Sequence, residues 1–179
     1  TQPVDEGDRI RVGDLAGIVM RTEGHIDGHL SFLFGDVLFC GDTLFGAGCG
    51  YLFDGPPAKM QASLERLASL PESTYVCCAH EYTEDNLRFA WSIEPENTEL
   101  SQRIRDTWQL RKQGRSSVPS TIGQEKKTNP FLRWNSPNIR KRLDIKSVNP
   151  VDIFAATRAL KDQKSYRSIT DLELPLNKE

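Results

Sequence analysis

The sequence is poor in the side chains that most often build metal and redox sites, with three histidines and four cysteines in 179 residues. No two cysteines form a Cys-x-x-Cys pair, which argues against a sulfur-ligated structural zinc. Cys77 and Cys78 are adjacent, so on a strand they point to opposite faces and give no support to a disulfide framework. Cys40, Cys77 and Cys78 lie in apolar runs, where cysteine behaves as a small hydrophobe. This usage fits a reducing, cytoplasm-like compartment, with a mitochondrial location as the alternative. Excess charge is lacking too. Twenty-three Lys and Arg against twenty-five Asp and Glu leave −2, which offers no electrostatic basis for binding nucleic acid or an anionic membrane. No apolar run approaches the roughly 18 residues of a membrane span. The polar start Thr1–Glu6 has no signal-peptide pattern and no initiator Met, so a preceding segment is expected. Internal repeats are absent.

A hydrophobic content of 37% can bury a core, and the length suits one domain or a domain with a smaller lobe. Residues 1–90 read as strand-rich with one helix. Arg9–Val12 and Leu15–Met20 are short strands about the turn Gly13-Asp14, and Ser31–Phe34 and Val37–Cys40 form a hairpin across Gly35-Asp36. Pro56–Leu70 has Pro in its first turn and Met60, Leu64 and Leu67 at helical spacing. Thr74–Cys78 returns as a buried strand, so an α/β layer is expected. Residues 91–179 read as mostly helical. Thr83 is a candidate cap for a helix ended by Pro95, and Asn97 for one carrying Leu100, Ile104 and Trp108. Arg115–Lys127 is polar and expected to be an exposed connection. Asn149-Pro150 starts a last helix with the stripe Ile153, Phe154, Thr157 and Leu160. The basic runs Lys126-Lys127 and Arg140–Arg142 read as solvated faces.

The chemistry centres on Val37–Phe45. An apolar strand ends in Gly41-Asp42, and a loop of small residues, Gly46–Gly50, follows. In open α/β sheets ligands gather outside the carboxyl ends of strands. His29 and His80 stand in similar places, beside strands and at turns. Taken singly, each is as well explained as a surface histidine, and Asp42 as a turn former. Taken together, imidazole and carboxylate are a ligand set for zinc, manganese or iron, and a two-oxygen carboxylate can bridge two ions.

Four segments in order carry a specific resemblance: Gly24-His25-Ile26-Asp27-Gly28-His29, Phe39–Phe45 with its Gly41-Asp42-Thr43-Leu44-Phe45, Gly48-Cys49-Gly50, and Ala79-His80-Glu81-Tyr82-Thr83. They resemble glyoxalase II, the hydroxyacylglutathione hydrolases of the metallo-β-lactamase superfamily. The resemblance runs from about Val12 through the end of the second lobe and includes Asn129-Pro130-Phe131-Leu132-Arg133. It implies the C-terminal half of a four-layered αββα metallo-β-lactamase fold over residues 1–90, and an α-helical substrate-binding domain over 91–179. It implies His29 as ligand of one metal, Asp42 as the catalytic bridge, His80 as ligand of the other, and His25 outside the ligand set. Two divalent ions are implied, zinc first, with iron and manganese as alternatives. Tyr51, Leu52, Phe53, His80, Glu81 and Tyr82 would meet the glutathione moiety, and Lys161 and Lys164 its glycine carboxylate.

The chain also departs from that pattern. Tyr51 stands where a basic residue is usual, and Thr22-Glu23 where Thr-Pro is usual. The family's Thr-His-x-His-x-Asp-His segment, which supplies most of the ligands, is not in these 179 residues. It is expected in a missing N-terminal half, which would be this chain's one macromolecular partner. The implied reaction is hydrolysis of S-(2-hydroxyacyl)glutathione by a metal-bridging hydroxide, the chain alone being inactive. Two other readings stand beside it. One is a persulfide dioxygenase-like enzyme, whose relatives lack the long helical lobe. The other is a non-catalytic glutathione-binding remnant, which would bind less than one tight metal per chain.

Overall fold

A computed structural model describes residues 3–177. Its strands are β1 (Arg9–Val12), β2 (Leu15–Arg21), β3 (Leu30–Phe34), β4 (Val37–Gly41), β5 (Leu44–Phe45), β6 (Gly48–Cys49), β7 (Tyr75–Cys78) and β8 (Ser120–Thr121). Its helices are α1 (Pro57–Ala68), α2 (Thr83–Ile93), α3 (Thr98–Lys112), α4 (Ile122–Thr128), α5 (Pro137–Arg142) and α6 (Pro150–Asp162), followed by short 3-10 turns from Ser165 to Asn177. The main sheet has the order β1-β2-β3-β4-β7-β8, and β5 pairs with β6 apart from it. All its pairings are antiparallel except β4 with β7. A parallel pair needs a crossover, and α1 supplies it. The expected hairpin is present, with Phe34 opposite Val37.

One face of the sheet is covered. Leu38, Cys40, Val76 and Met20 meet Met60, Leu64 and Leu67 of α1 and Ile153 and Phe154 of α6 in one core. A smaller core joins Leu87 and Ala90 of α2 to Leu100, Ile104 and Trp108 of α3. Helix α2 runs across residue 90, and α6 packs on α1.

Much of the other face of the sheet is uncovered among the described residues. The register puts Val12, Leu15, Phe34, Val37, Phe39 and Tyr75 on it, and Val12 and Leu15 are each 64% exposed. The accessible surface of 9617 Å² exceeds the roughly 8,800 Å² usual for a monomer of this mass. Of the four expected layers, a sheet and the helices on one side of it are present here. Replacing Leu15 and Phe39 together by Lys is expected to shift stability by less than about 1 kcal/mol while abolishing hydrophobic-dye binding. Unchanged dye fluorescence would show that this face is not what the dye sees.

Two local expectations need correction. Thr83 does not cap α2, because Tyr82 holds the N-cap position without a side-chain bond and Thr83 Oγ1 is buried without a partner. The segment Arg115–Lys127 is not a plain connection. It contains β8 and most of α4, with Ile122 and Glu125 fully buried. Asn97 and Asn149 do cap their helices, accepting from Leu100 and Val151 backbone N–H. No described helix is long and apolar enough to cross a membrane.

Candidate metal centre and adjoining pocket

Strand β4 ends at Gly41, whose φ of +50° suits glycine. A Cβ there would lie 2.8 Å from His29 Nε2. This turn projects Asp42 from the carboxyl end of the strand. Its carboxylate faces two imidazoles: Oδ1 is 3.4 Å from His80 Nε2, and Oδ2 is 4.0 Å from His25 Nε2.

His25 is held by its other nitrogen. Nδ1 lies 2.8 Å from the Tyr51 carbonyl, which can only accept, so Nδ1 donates and Nε2 is the nitrogen turned towards Asp42. Gly50 keeps the packing possible, since a Cβ there would be 2.0 Å from the Asp42 carbonyl oxygen. His80 follows β7, with Ala79 N–H bonded to the Gly41 carbonyl at 3.0 Å. Its ring stacks on Tyr82 at 4.9 Å.

His29 also lies at the Asp42 turn. Its Nε2 accepts the Asp42 backbone N–H at 3.3 Å. Its Nδ1 therefore donates, with Thr43 Oγ1 at 3.1 Å and Thr22 Oγ1 at 3.3 Å as acceptors. Thr43 passes its own proton to the Thr22 carbonyl at 2.9 Å. Burial lowers the pKa of His29, with His25 adding to the effect and Asp42 opposing it. In this structure His29 thus bonds the Asp42 turn, and His25 and His80 face the carboxylate. His25 and His29 share one glycine-rich loop, which is why both reach the same carboxylate turn.

Imidazole nitrogens around a carboxylate suit a divalent cation in kind. They do not complete a site in number: among the described residues no three His, Cys, Asp or Glu side chains converge on a metal position.

Beside this centre lies a pocket of about 470 Å³, lined by Phe45, Tyr51, Tyr82, Asn86, Arg158 and Lys161, among others. Phe45 and Tyr82 separate it from His80, with ring contacts of 6.2 and 4.9 Å. Two cations form its inner wall. Lys161 is 8% exposed, and burial pushes its pKa down to about 8, with Arg158 adding. Arg158, which sequence reasoning missed, is buried and bonds Asp162 at 2.6 Å and the Cys49 carbonyl at 3.3 Å. Its signal was an arginine four residues after Phe154, on the buried stripe of α6. Lys164 also lines the pocket but lies beyond the end of α6, with φ +59°. Tyr51 and Tyr82 line the pocket, whereas Leu52 packs on the core and Phe53 against His25. Glu81 is turned elsewhere: its carboxylate accepts from Ser116 Oγ and Ser117 N–H at 2.8 Å each. The Cys49 thiol is buried, which raises its pKa, and Arg158 is its polar neighbour.

Fold and site order place the chain in the metallo-β-lactamase superfamily, whose family model matches residues 2–80. Residues 81–164 match the model described as hydroxyacylglutathione hydrolase C-terminus. Curated proteins named hydroxyacylglutathione hydrolase include one from Methylococcus capsulatus, 48% identical over 159 residues, and one from Pseudomonas putida, 48% identical over 168. These matches take in 88% and 89% of this chain and 62% and 64% of those proteins. The chain belongs to the hydroxyacylglutathione hydrolase family and spans less than two thirds of the length of these relatives. The crystal structure of ETHE1 from Myxococcus xanthus is similar at 28% identity and a TM-score of 0.52, over 88% of this chain and 59% of that one. A metallo-beta-lactamase from Staphylococcus aureus gives the same TM-score at 22% identity, over 88% of this chain and 42% of that one, a likeness of fold alone.

Proposed function

We propose that this chain supplies the glutathione pocket and part of the metal centre of a hydrolase that cleaves S-(2-hydroxyacyl)glutathione to glutathione and a 2-hydroxy acid. The observation that carries this reading is the buried Arg158–Lys161 pair in a pocket that opens beside Asp42, with Tyr51 and Tyr82 shared between the two. Buried cations on one wall suit an acidic tripeptide thiol, whose carboxylate they would meet. Asp42 and His80, with His29 or His25 from the loop before β3, would hold two divalent ions, zinc first, with iron and manganese as alternatives. The remaining ligands would come from the part of the relatives' length that this chain does not span. When bound, such ions supply a Lewis acid and a water of lowered pKa.

The chain's own residues bind and orient. Tyr82 and Phe45 line the pocket and lie against the His80 ring, and Tyr51, which lines it too, holds His25 through its carbonyl. A protein nucleophile is not needed, and buried Cys49, with its raised pKa, is unsuited to be one. All four cysteines are free, which suits a reducing compartment.

The pocket lies wholly within the 179 residues and the metal centre does not, so binding and turnover should separate. Calorimetry is expected to show S-methylglutathione bound by the unsubstituted chain without thioester hydrolysis, and bound at least about tenfold more weakly by Lys161→Met, a charge-assisted contact being worth about 1.5 kcal/mol or more. Equal affinities in the two chains, or rapid turnover by the unsubstituted one, would refute the reading.

A further inference from the structure

Asn86 stands in the first turns of α2, 3% exposed, and joins two parts of the site that lie far apart in the sequence. Its Nδ2 donates to the Gly46 carbonyl at 2.9 Å, in the loop that follows Asp42. Its Oδ1 accepts from the Lys161 ammonium on α6. Only one amide orientation serves both partners. The flipped one would set NH2 against ammonium and oxygen against oxygen. Gly48 leaves the space the amide fills, since a Cβ there would lie 2.5 Å from Asn86 Nδ2. The loop is also fixed from its far side: Asn129 donates to the Gly48 carbonyl at 3.0 Å, and Glu125 accepts from Ala47 N–H at 2.8 Å. The loop is thus a rigid reference against which Asn86 holds Lys161.

The Lys161 ammonium lies 5.0 Å from the centroid of Phe89 and 5.3 Å from that of Tyr166. Ring faces attract a cation but accept no ordinary hydrogen bond. An ammonium has three protons to donate, and among the described residues Asn86 Oδ1 is its hydrogen-bond acceptor.

We propose that Asn86 is a positioning residue, which fixes the Lys161 ammonium relative to the Asp42 loop and so sets where the anionic end of the bound thioester is held. The proposal rests on the reading that this pocket takes a glutathione thioester. Around Lys161, Arg158 on the same helix and Arg167 in the following 3-10 turn disfavour its charge, whereas Asp85 on α2 and Cys49 on β6 favour it. An acceptor at Asn86 favours the charged form as well.

The test is a carbon-13 titration of the Lys161 side chain in the ligand-free 179-residue chain, in Asn86→Leu and in Asn86→Asp. The leucine removes both bonds at similar volume, and the aspartate keeps the shape and adds charge. The midpoint is expected about one pH unit lower with leucine and at least about one unit higher with aspartate, the size of shift one charged hydrogen bond or ion pair gives. Dissociation constants for S-methylglutathione at pH 8.5 should rise about tenfold in Asn86→Leu and by less at pH 6.5. A merely structural Asn86 would lower the melting temperature of the variants and leave the midpoint alone, and that result would overturn the proposal. Should the leucine variant fail to fold, an unmoved midpoint in Asn86→Asp overturns it equally. If the midpoints move but no chain binds S-methylglutathione, the glutathione reading fails and the placing of Lys161 by Asn86 stands.

Discussion

Replacing Glu125 by Ala is expected to destabilise the chain by about 3–5 kcal/mol, the range for stripping one partner from a buried ion pair. Glu125 is 0% exposed and its partner Arg103 is 4% exposed. Oε1 accepts from Arg103 Nη2 at 2.6 Å, while Oε2 accepts from Ala47 N–H at 2.8 Å and Asn129 Nδ2 at 3.0 Å. The guanidinium spends its other arm on Thr128 Oγ1 at 2.6 Å. Alanine would leave a buried guanidinium without a counter-charge and a buried N–H without an acceptor, both costly in a poorly solvated place. The Ala47 loop follows Asp42, so the damage would reach the metal centre. Lys126→Ala is the contrast. Lys126 bonds Glu72 at the surface at 2.9 Å, and its loss should cost less than about 1 kcal/mol. Urea denaturation of the two variants measures the difference. A loss under about 1 kcal/mol for Glu125→Ala would mean that water reaches the pair.

Glu125 also shows what the sequence could and could not reveal. Elements whose signals are local were legible: the β3–β4 hairpin from Gly35-Asp36, α3 from Asn97 and its stripe, and α6 from Asn149-Pro150. Glu125 was illegible because what buries it lies far off, Arg103 being 22 residues away and Ala47 78. A polar stretch with few apolar residues looks solvated until its partners are known. Thr83 failed for a related reason: a good capping residue stands next to the cap, but tertiary packing set the helix start one residue earlier, at Tyr82. At the site, Asp42 and His80 were visible as a carboxylate and an imidazole at strand ends, and the structure brings them to 3.4 Å. Lys161 was named only through the family resemblance, and its burial and its bond to Asn86 were not legible.

The choice between His25 and His29 carries the other large prediction, to be made in a polypeptide spanning the relatives' full length. Both rings lie near Asp42, with centroids 6.3 Å apart. They differ in what their nitrogens do. His25 spends Nδ1 on a carbonyl and leaves Nε2 towards the carboxylate. His29 spends Nε2 on the Asp42 backbone and Nδ1 on hydroxyls, so it can supply a lone pair to a metal only by abandoning the turn it braces. His25→Ala is therefore expected to lower metal content by elemental analysis and to remove hydrolysis, and Asp42→Asn, which leaves one neutral oxygen where two anionic ones stood, to do the same. His29→Ala should retain its metal, melt earlier, and lose about 10–100-fold in activity, as outer partners of metal sites do. The reverse pattern, metal lost with His29 and kept without His25, would show that the Asp42 turn reorganises when the centre is completed and that the geometry seen here is not the one that binds.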